Sequence, residues 1–196
     1  MPDSSNPSSP LHLSPPDIIR WLSDHWHTSL CTTQSIYRFP QLATIGHNAP
    51  VRTIVLRAFH ASPLSIQFHT DIRSAKVPQL RENPQATIHW YDPIERLQTI
   101  ARTTTELHHG TNPARTAWEG LPVHGKRQYS QTDTPGAEMQ APSPLFAEEP
   151  EYGWNHFCLI VATITEIEML HLRQEGNIRC KLIPEKTGWR RMWLAP

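Results

Sequence analysis

Residues 51–70, VRTIVLRAFHASPLSIQFHT, contain two runs that decide the fold of this chain. VRTIVLRAF and LSIQFHT are rich in β-branched and aromatic residues, and the turn-forming sequence Ala61-Ser62-Pro63 separates them. Short runs of this kind, bounded by turn residues, predict neighbouring antiparallel strands. The preceding run, YRFPQLATIG, is followed by Asn48-Ala49-Pro50 and extends the pattern. This part of the chain therefore predicts an antiparallel meander.

The rest of the chain predicts more short strands and only two or three helices. An amphipathic helix is expected over 15–28, with Ser14 as its cap, because its apolar residues fall on one helical face. Two further helices are expected in RSAKVPQLRENP and, capped by Asn112, in NPARTAWEGL. The remaining predicted strands are QATIHWYD, RLQTIARTTTEL, FCLIVATIT, IEMLHL and NIRCKLI. Since strands and helices do not alternate, the pattern indicates a mainly β fold, an antiparallel barrel with helices packed outside, rather than a doubly wound parallel sheet.

The chain is expected to form a single domain over 14–196, preceded by a disordered tail over 1–13 that is rich in proline and serine. Residues 121–155 hold few aliphatic side chains and predict a long loop, with a short helix at 143–149. Loops of this length in a small domain are usually functional or disordered.

Composition excludes several classes of protein. Lys+Arg and Asp+Glu are balanced at 18 each, so no global charge favours nucleic acid or a membrane surface. Three scattered cysteines without close spacing argue against a disulfide framework or structural zinc. The sequence begins without the pattern of a secretory signal, and no apolar run approaches the roughly 20 residues of a membrane span. We therefore expect a cytoplasmic protein, and the twelve histidines, none in an HExxH motif, do not predict a metal site.

Two segments are suited to an anionic, phosphorylated ligand. RTIVLR places Arg52 and Arg57 on a predicted strand, and arginine has a planar donor fork that matches phosphate. FHTDIRSAK, residues 68–76, places hydroxyls and Lys76 where a strand passes into a helix, whose free N–H groups favour anions. The alternatives are an ordinary solvated strand face and a turn capped by Asp71 or Ser74. In addition, arginines five residues apart point to opposite sheet faces unless the strand is distorted.

The order RTIVLR, FHTDIRSAK, LRENPQATIHWY, ERLQTIAR and finally WRRMWLAP resembles the pyridoxamine 5'-phosphate oxidase family, and more closely its FMN-binding, oxidase-related branch. The resemblance covers about 37–107, extends weakly to 120, and resumes over 154–196. It implies a split β-barrel with peripheral helices, a homodimer with FMN at the subunit interface, and oxidoreductase activity in which the flavin carries the reaction.

The resemblance also implies a set of cofactor contacts. The stretch that binds the flavin phosphate resembles Arg52–Arg57, and the next motifs resemble His69-Thr70 and Ser74-Ala75-Lys76. Where the family has an arginine, this chain has Ala75, and Arg73 is close enough in sequence to replace it. The expected cofactor-binding residues are Arg52, Thr53, Arg57, His69, Thr70, Ser74, Lys76, Gln98 and Arg179.

The closing region departs from the family pattern. Leu170 stands where the family has a tryptophan beside the flavin, and Arg173 offers an alternative register to Arg179. The tyrosine and arginine that grip the substrate phosphate are not evident in NPARTAWEG. Trp154 could cover a flavin ring, and no catalytic side chain is nominated. The resemblance thus supports FMN binding more than a pyridoxamine phosphate substrate. A non-catalytic flavin carrier or sensor, or a barrel that has lost flavin, remains an alternative.

Overall fold

The computed structural model describes residues 9–32, 34–142, 145–149 and 151–196, and within them the strands form one antiparallel sheet. The strands are β1 (Gln41–Thr44), β2 (Val51–Thr53), β3 (Ala58–Ala61), β4 (Leu64–Asp71), β5 (Gln85–Asp92), β6 (Leu97–His108), β7 (Phe157–His171), β8 (Ile178–Glu185) and β9 (Gly188–Leu194). The helices are α1 (Pro15–Cys31), α2 (Lys76–Glu82), α3 (Asn112–Glu119), α4 (Val123–Arg127) and α5 (Tyr152–His156), with short 3-10 turns at Pro10–His12 and Ile36–Arg38. The predicted mainly β fold class is confirmed.

The strands close into a barrel of six members because the segment 51–61, which contains β2 and β3, pairs on both of its sides. Its first part pairs with β1, and two further backbone bonds, Ile54 N to Pro40 O and Leu56 N to Arg38 O, both 2.9 Å, continue that edge. Its second part, β3, pairs with β4. Since β4 pairs with β7, β7 with β6, β6 with β5 and β5 with β1, the circuit is complete.

β7 is the strand that splits the sheet. One of its edges pairs with β6 along almost the whole strand, while the other pairs first with β4 and then with β8. β8 and β9 therefore form an extension outside the barrel. Two separate strands, FCLIVATIT and IEMLHL, were expected here, but the structure has one continuous strand of 15 residues. A register shift between Arg102 and Thr103 of β6 lets the pair bend without interrupting β7.

Helix α1 covers one end of the barrel with the apolar face predicted from its sequence. Ile18, Leu22 and Trp26 are fully buried, and the Trp26 ring contacts the rings of Phe59 and Trp90. Ser14 caps the helix, accepting a hydrogen bond from the Asp17 N–H. The helix extends to Cys31, beyond the predicted end at residue 28.

The N-terminal segment differs from the expected disordered tail where the structure describes it. Leu11 is fully buried in the main core, and the Nδ1 of His171 lies 2.7 Å from the Oγ of Ser9. Arg191 donates to the carbonyl oxygens of Leu11 and Leu13. These contacts fix residues 9–13 against β7 and β9, and residues 1–8 lie outside the described residues.

A second, smaller apolar cluster packs α3 and the predicted long loop onto the outer face of β7. Its centre is Phe157, whose ring lies 5.4 Å from that of Trp118 and 5.1 Å from that of Tyr129. The chain passes so closely at Gly153 that a Cβ there would lie 2.9 Å from the Trp118 ring. The segment 121–155 thus contains α4 and most of α5.

Other local expectations were partly wrong. Thr111 rather than Asn112 is the N-terminal cap residue of α3, and no side chain caps that helix. Residues 145–149 are not helical, and residues 143 and 144 of the helix predicted there lie outside the described residues. The run YRFPQLATIG begins with a 3-10 turn and only becomes a strand at Gln41, after Pro40. No helix in the described residues is both long and apolar enough to cross a bilayer.

Candidate functional site

The turn between β4 and α2 folds Lys76 back over the end of its own strand. The Lys76 ammonium donates to the hydroxyl of Thr70 at 2.9 Å and to that of Ser74 at 2.7 Å. Thr70 is the last buried residue of β4, and Lys76 is the first residue of α2. The sequence motif therefore brings three of its predicted ligand-binding side chains together.

Arg52 reaches the same region from β2. Its Nη1 donates to the Thr44 hydroxyl at 2.6 Å, and its Nη2 donates to the Oε1 of Gln79 at 3.3 Å. Thr44 also donates to that Gln79 oxygen at 2.6 Å. Two neutral side chains that the sequence analysis missed thus hold the Arg52 guanidinium over α2. We call Arg52, Lys76, Thr70 and Ser74 the cationic cluster.

The two charges of the cationic cluster have no acidic partner among the described residues, since neither forms an ion pair. Burial lowers the pKa of Lys76, and the nearby charge of Arg52 lowers it further, while the charge of Asp71 acts in the opposite direction. Burial also lowers the pKa of Arg52. Half-buried like charges are unfavourable unless an anion offsets them, so the cluster is built to receive one.

Asp71 does not neutralise this cluster because its carboxylate is taken up by Arg73. The Nε and Nη2 of Arg73 lie 3.0 and 2.8 Å from the two Asp71 oxygens. The rest of the guanidinium donates to the carbonyl oxygens of Gln131 and Thr132. The suggestion that Arg73 replaces the arginine missing at Ala75 is therefore wrong. Neither Asp71 nor Ser74 caps α2, whose cap residue is Ala75.

His69 and Arg57 lie beside the cationic cluster and line a separate pocket of about 310 Å³ between β4, the 56–58 segment and α3. Burial, with a smaller contribution from the charge of Arg57, lowers the pKa of His69 to about 4. The imidazole is therefore neutral at pH 7. Its edge packs on Phe157, with 4.8 Å between ring centroids, and its buried Nδ1 has no hydrogen-bond partner among the described residues. As expected from their spacing, Arg52 and Arg57 contact different surroundings.

Gln98 and Arg179 lie at the opposite end of the sheet. Thr70 is paired with Cys158 of β7, whereas Leu170 of β7 is paired with both Gln98 and Arg179. Positions 158 and 170 are separated by about 40 Å of strand at the usual rise per residue. This distance is greater than the length of an FMN molecule, so one copy of the chain cannot bring all the predicted contacts to one cofactor.

The remaining residues that the sequence suggested are ion-paired, exposed or packed within the protein. Arg179 is paired with the buried Glu168, with Nε 2.9 Å from Oε1, and Arg173 is paired with Glu175 across the following turn. Thr53 is exposed on β2. Trp154 packs near Phe157 beneath the guanidinium of Arg115. Cys158 and Cys180 are buried, as expected, and burial raises the pKa of each thiol to about 11.

Comparison with known proteins gives a family match for the region that contains this site. Residues 19–108 match the family described as pyridoxamine 5'-phosphate oxidase, FMN-binding domain. The chain is related to the pyridoxamine 5'-phosphate oxidase family. The matched residues include the whole cationic cluster and His69, and the family resemblance inferred from motif order is confirmed.

Two relatives extend the match beyond that domain. Pyridoxine/pyridoxamine 5'-phosphate oxidase 2 of Arabidopsis thaliana is 29% identical over 169 residues, which are 76% of this chain and 81% of the plant protein. A crystal structure of a pyridoxamine 5'-phosphate oxidase-related, FMN-binding protein from Nostoc punctiforme is 28% identical, with a TM-score of 0.72. That match covers 95% of this chain and all of the other.

A more distant solved structure shares the fold alone. PhzG from Burkholderia lata is 15% identical, with a TM-score of 0.67, over the whole of this chain and 97% of PhzG. The expected split-barrel fold is thus confirmed by several solved structures of the oxidase family's fold.

The residues present fit FMN, which is confirmed as the cofactor of the matched domain. A phosphate dianion would meet two cations without acidic partners and two hydroxyls, the donor types that bind phosphate most strongly. The buried Nδ1 of His69 offers one more polar group to a ligand. Tyr129, which no sequence motif indicates, lies on Phe157, and burial raises its pKa to about 12. Its loop has no pattern that would have indicated it.

Proposed function

We propose that this protein is an FMN-dependent oxidoreductase that binds the flavin phosphate at the cationic cluster. The observation that carries the proposal is that the partly buried cations Arg52 and Lys76 are held by hydroxyl and amide side chains and form no ion pair within the described residues. Such an arrangement is costly in a protein that binds nothing there. A bound phosphate would turn the repulsion into two charge-assisted hydrogen bonds.

Each residue of the site would make a different contact with the cofactor. Arg52, held by Thr44 and Gln79, would present its fork from β2. Lys76, aligned by Thr70 and Ser74, would approach from the start of α2. Neutral His69 would lie toward the ring end of the cofactor and offer its unpartnered nitrogen.

When bound, FMN supplies the redox chemistry by accepting a hydride from the substrate. The side chains of this chain would bind the phosphate, orient the ring and exclude competing reactions. A hydride transfer of this kind needs no obligatory general base, so we assign no catalytic residue.

We further propose that the active form is a homodimer with FMN at the interface. The separation of Gln98 and Arg179 from the cationic cluster supports a second copy as their source. Each cofactor would then contact the cluster and His69 of one copy and the Gln98 and Arg179 end of the other.

We propose that residues 14–196 act as one domain, and the free cysteines Cys31, Cys158 and Cys180 favour a cytoplasmic location.

The test of this function begins with the purified full chain. Absorbance and mass spectrometry should identify FMN as the molecule that co-purifies or binds when added. Substrate-dependent bleaching of the flavin spectrum would support an enzyme. A yellow protein that no substrate reduces would favour the carrier or sensor, and a colourless protein that fails to bind added FMN would refute the proposal.

A further inference from the structure

Gln79 accepts two hydrogen bonds at the edge of the cationic cluster. The Thr44 hydroxyl donates to its Oε1 at 2.6 Å, and the Nη2 of Arg52 donates to the same oxygen at 3.3 Å. The Nη1 of Arg52 in turn donates to the Thr44 hydroxyl at 2.6 Å. The three side chains thus form a closed ring of hydrogen bonds that includes both Nη atoms of the guanidinium.

The direction of each bond in this ring is determined by Arg52. A guanidinium can only donate, so the Thr44 hydroxyl accepts from Nη1 and donates its own hydrogen to Gln79. The oxygen of the Gln79 amide, and not its nitrogen, must therefore face the other two side chains. The amide nitrogen takes no part in the ring.

Helix α2 supplies both one charge of the cluster and a side chain that holds the other charge. Lys76 and Gln79 lie three residues apart and so share one face of the helix. The Gln79 amide also packs closely on the loop between β1 and β2, where a Cβ at Gly46 would lie 3.1 Å from Nε2 and 3.2 Å from Cδ. The absence of a side chain at residue 46 leaves room for the amide in this position.

The ring differs from the way in which the chain holds two other partly buried arginines. Arg73 is paired with Asp71. Arg179 is paired with Glu168, and in both pairs the carboxylate offsets the charge of the arginine. Arg52 is held by a hydroxyl and an amide, which accept its hydrogen bonds and carry no charge. The guanidinium is thus fixed in direction while its positive charge stays available to an anion.

We infer that Gln79 is a positioning residue that makes the site selective for a phosphorylated flavin, because its neutral amide fixes Arg52 without offsetting its charge. A carboxylate at this position would accept the same hydrogen bonds, but it would neutralise the guanidinium and repel a phosphate. The inference rests on the proposed function, since it takes that phosphate to be the one of FMN. It adds a determinant of selectivity that acts through Arg52.

The test compares Gln79→Glu with the unmodified full-length protein, because glutamate keeps the shape and the hydrogen bonds of the ring and adds a charge. Fluorescence titration should show FMN bound at least about tenfold more weakly and riboflavin within about twofold. Thermal stability should not fall, since a carboxylate accepts from a guanidinium more strongly than an amide does. Gln140→Glu, the same exchange at an exposed loop residue, is the matched control and should change neither affinity. Unchanged FMN affinity in Gln79→Glu, or equal losses for both ligands, would overturn the inference.

Gln79→Met provides a second measurement that introduces no charge. Methionine has a similar length but is a weak acceptor, so the guanidinium loses one of its partners and FMN should bind about three- to tenfold more weakly. In a chain that already carries Arg52→Ala, the same exchange should cause no further loss, because Gln79 acts through Arg52. Equal losses in the two backgrounds would contradict the positioning role.

Inorganic phosphate separates this inference from the proposed function. Calorimetry on flavin-free protein should show phosphate bound at least about tenfold more weakly by Gln79→Glu than by the unmodified chain. If phosphate behaves in this way but FMN does not bind, the proposed function is wrong and the positioning role stands. If the unmodified chain prefers FMN to riboflavin and Gln79→Glu keeps that preference, the positioning role is wrong and the proposed function stands. If the unmodified chain binds neither phosphate nor FMN, both are wrong.

Discussion

Arg73 and Asp71 form a two-point side-chain pair, with Nε to Oδ1 at 3.0 Å and Nη2 to Oδ2 at 2.8 Å. The same guanidinium donates to the carbonyl oxygens of Gln131 and Thr132, so it ties the turn before α2 to the segment 121–155. Because this pair occupies both oxygens of the Asp71 carboxylate, it also leaves the cationic cluster available for an anion.

Arg73→Gln should loosen that segment. It leaves the largely buried Asp71 carboxylate without its partner and removes two bonds to the loop, which we expect to lower the free energy of unfolding by about 2–4 kcal/mol. Hydrogen exchange at 128–132 should accelerate. Arg20→Gln, at an exposed arginine paired with Asp17, is the control and should change neither quantity. Unaltered exchange in the loop would show that Arg73 does not hold it.

His69 should make stability depend on pH in a defined window. The pKa of His69 is about 4 in the folded chain and 6.5 in the unfolded chain, so between these values the unfolded chain binds more protons. Its contribution is complete above pH 6.5 and is lost as pH falls toward 4, by about 2–3 kcal/mol. His69→Gln should flatten the denaturation curves across this range relative to the unmodified chain. His27→Gln, an exposed histidine on α1, should not, and equal slopes for all three proteins would contradict the burial of a neutral imidazole.

A mixed dimer tests whether two copies build one flavin site. Chains carrying Arg52→Ala and chains carrying Gln98→Ala should each bind FMN more weakly as homodimers. When the two are combined in one dimer, one site would contain both substitutions and the other neither. We expect calorimetry to show one tight FMN site in each mixed dimer. The absence of any tight site would mean that Arg52 and Gln98 act on FMN within the same chain or that one of them does not act on it.

The sequence predicted local elements better than their connections. β5 was expected over the observed residues, Gln85–Asp92, because its alternation of apolar and polar residues fits a strand and not a helix. β7 was expected as two strands separated at Glu166, and only pairing with β6 shows that the strand continues. Leu11 was placed in a disordered tail because a single apolar residue among prolines and serines gives no periodic signal.

The residues of the site show the same difference between local motifs and long-range contacts. Lys76, Ser74 and Thr70 lie within seven residues of one another, so their motif was enough to bring them together. Arg52 is held by Thr44 and Gln79, which lie 8 and 27 positions away in the sequence, and only the fold reveals these contacts. Arg73 was misassigned because nearness in sequence says nothing about the direction of a side chain.

The most direct test of the phosphate site is the affinity of Arg52→Ala for FMN compared with riboflavin, which lacks the phosphate. Fluorescence titration should show FMN weakened by about 10- to 100-fold, the value of one hydrogen bond to a charged group, and riboflavin by no more than about twofold. Arg102→Ala, which removes an arginine paired with Glu166 outside the cluster, should affect neither ligand. Equal losses of FMN and riboflavin affinity in Arg52→Ala would show that the cationic cluster does not bind the phosphate.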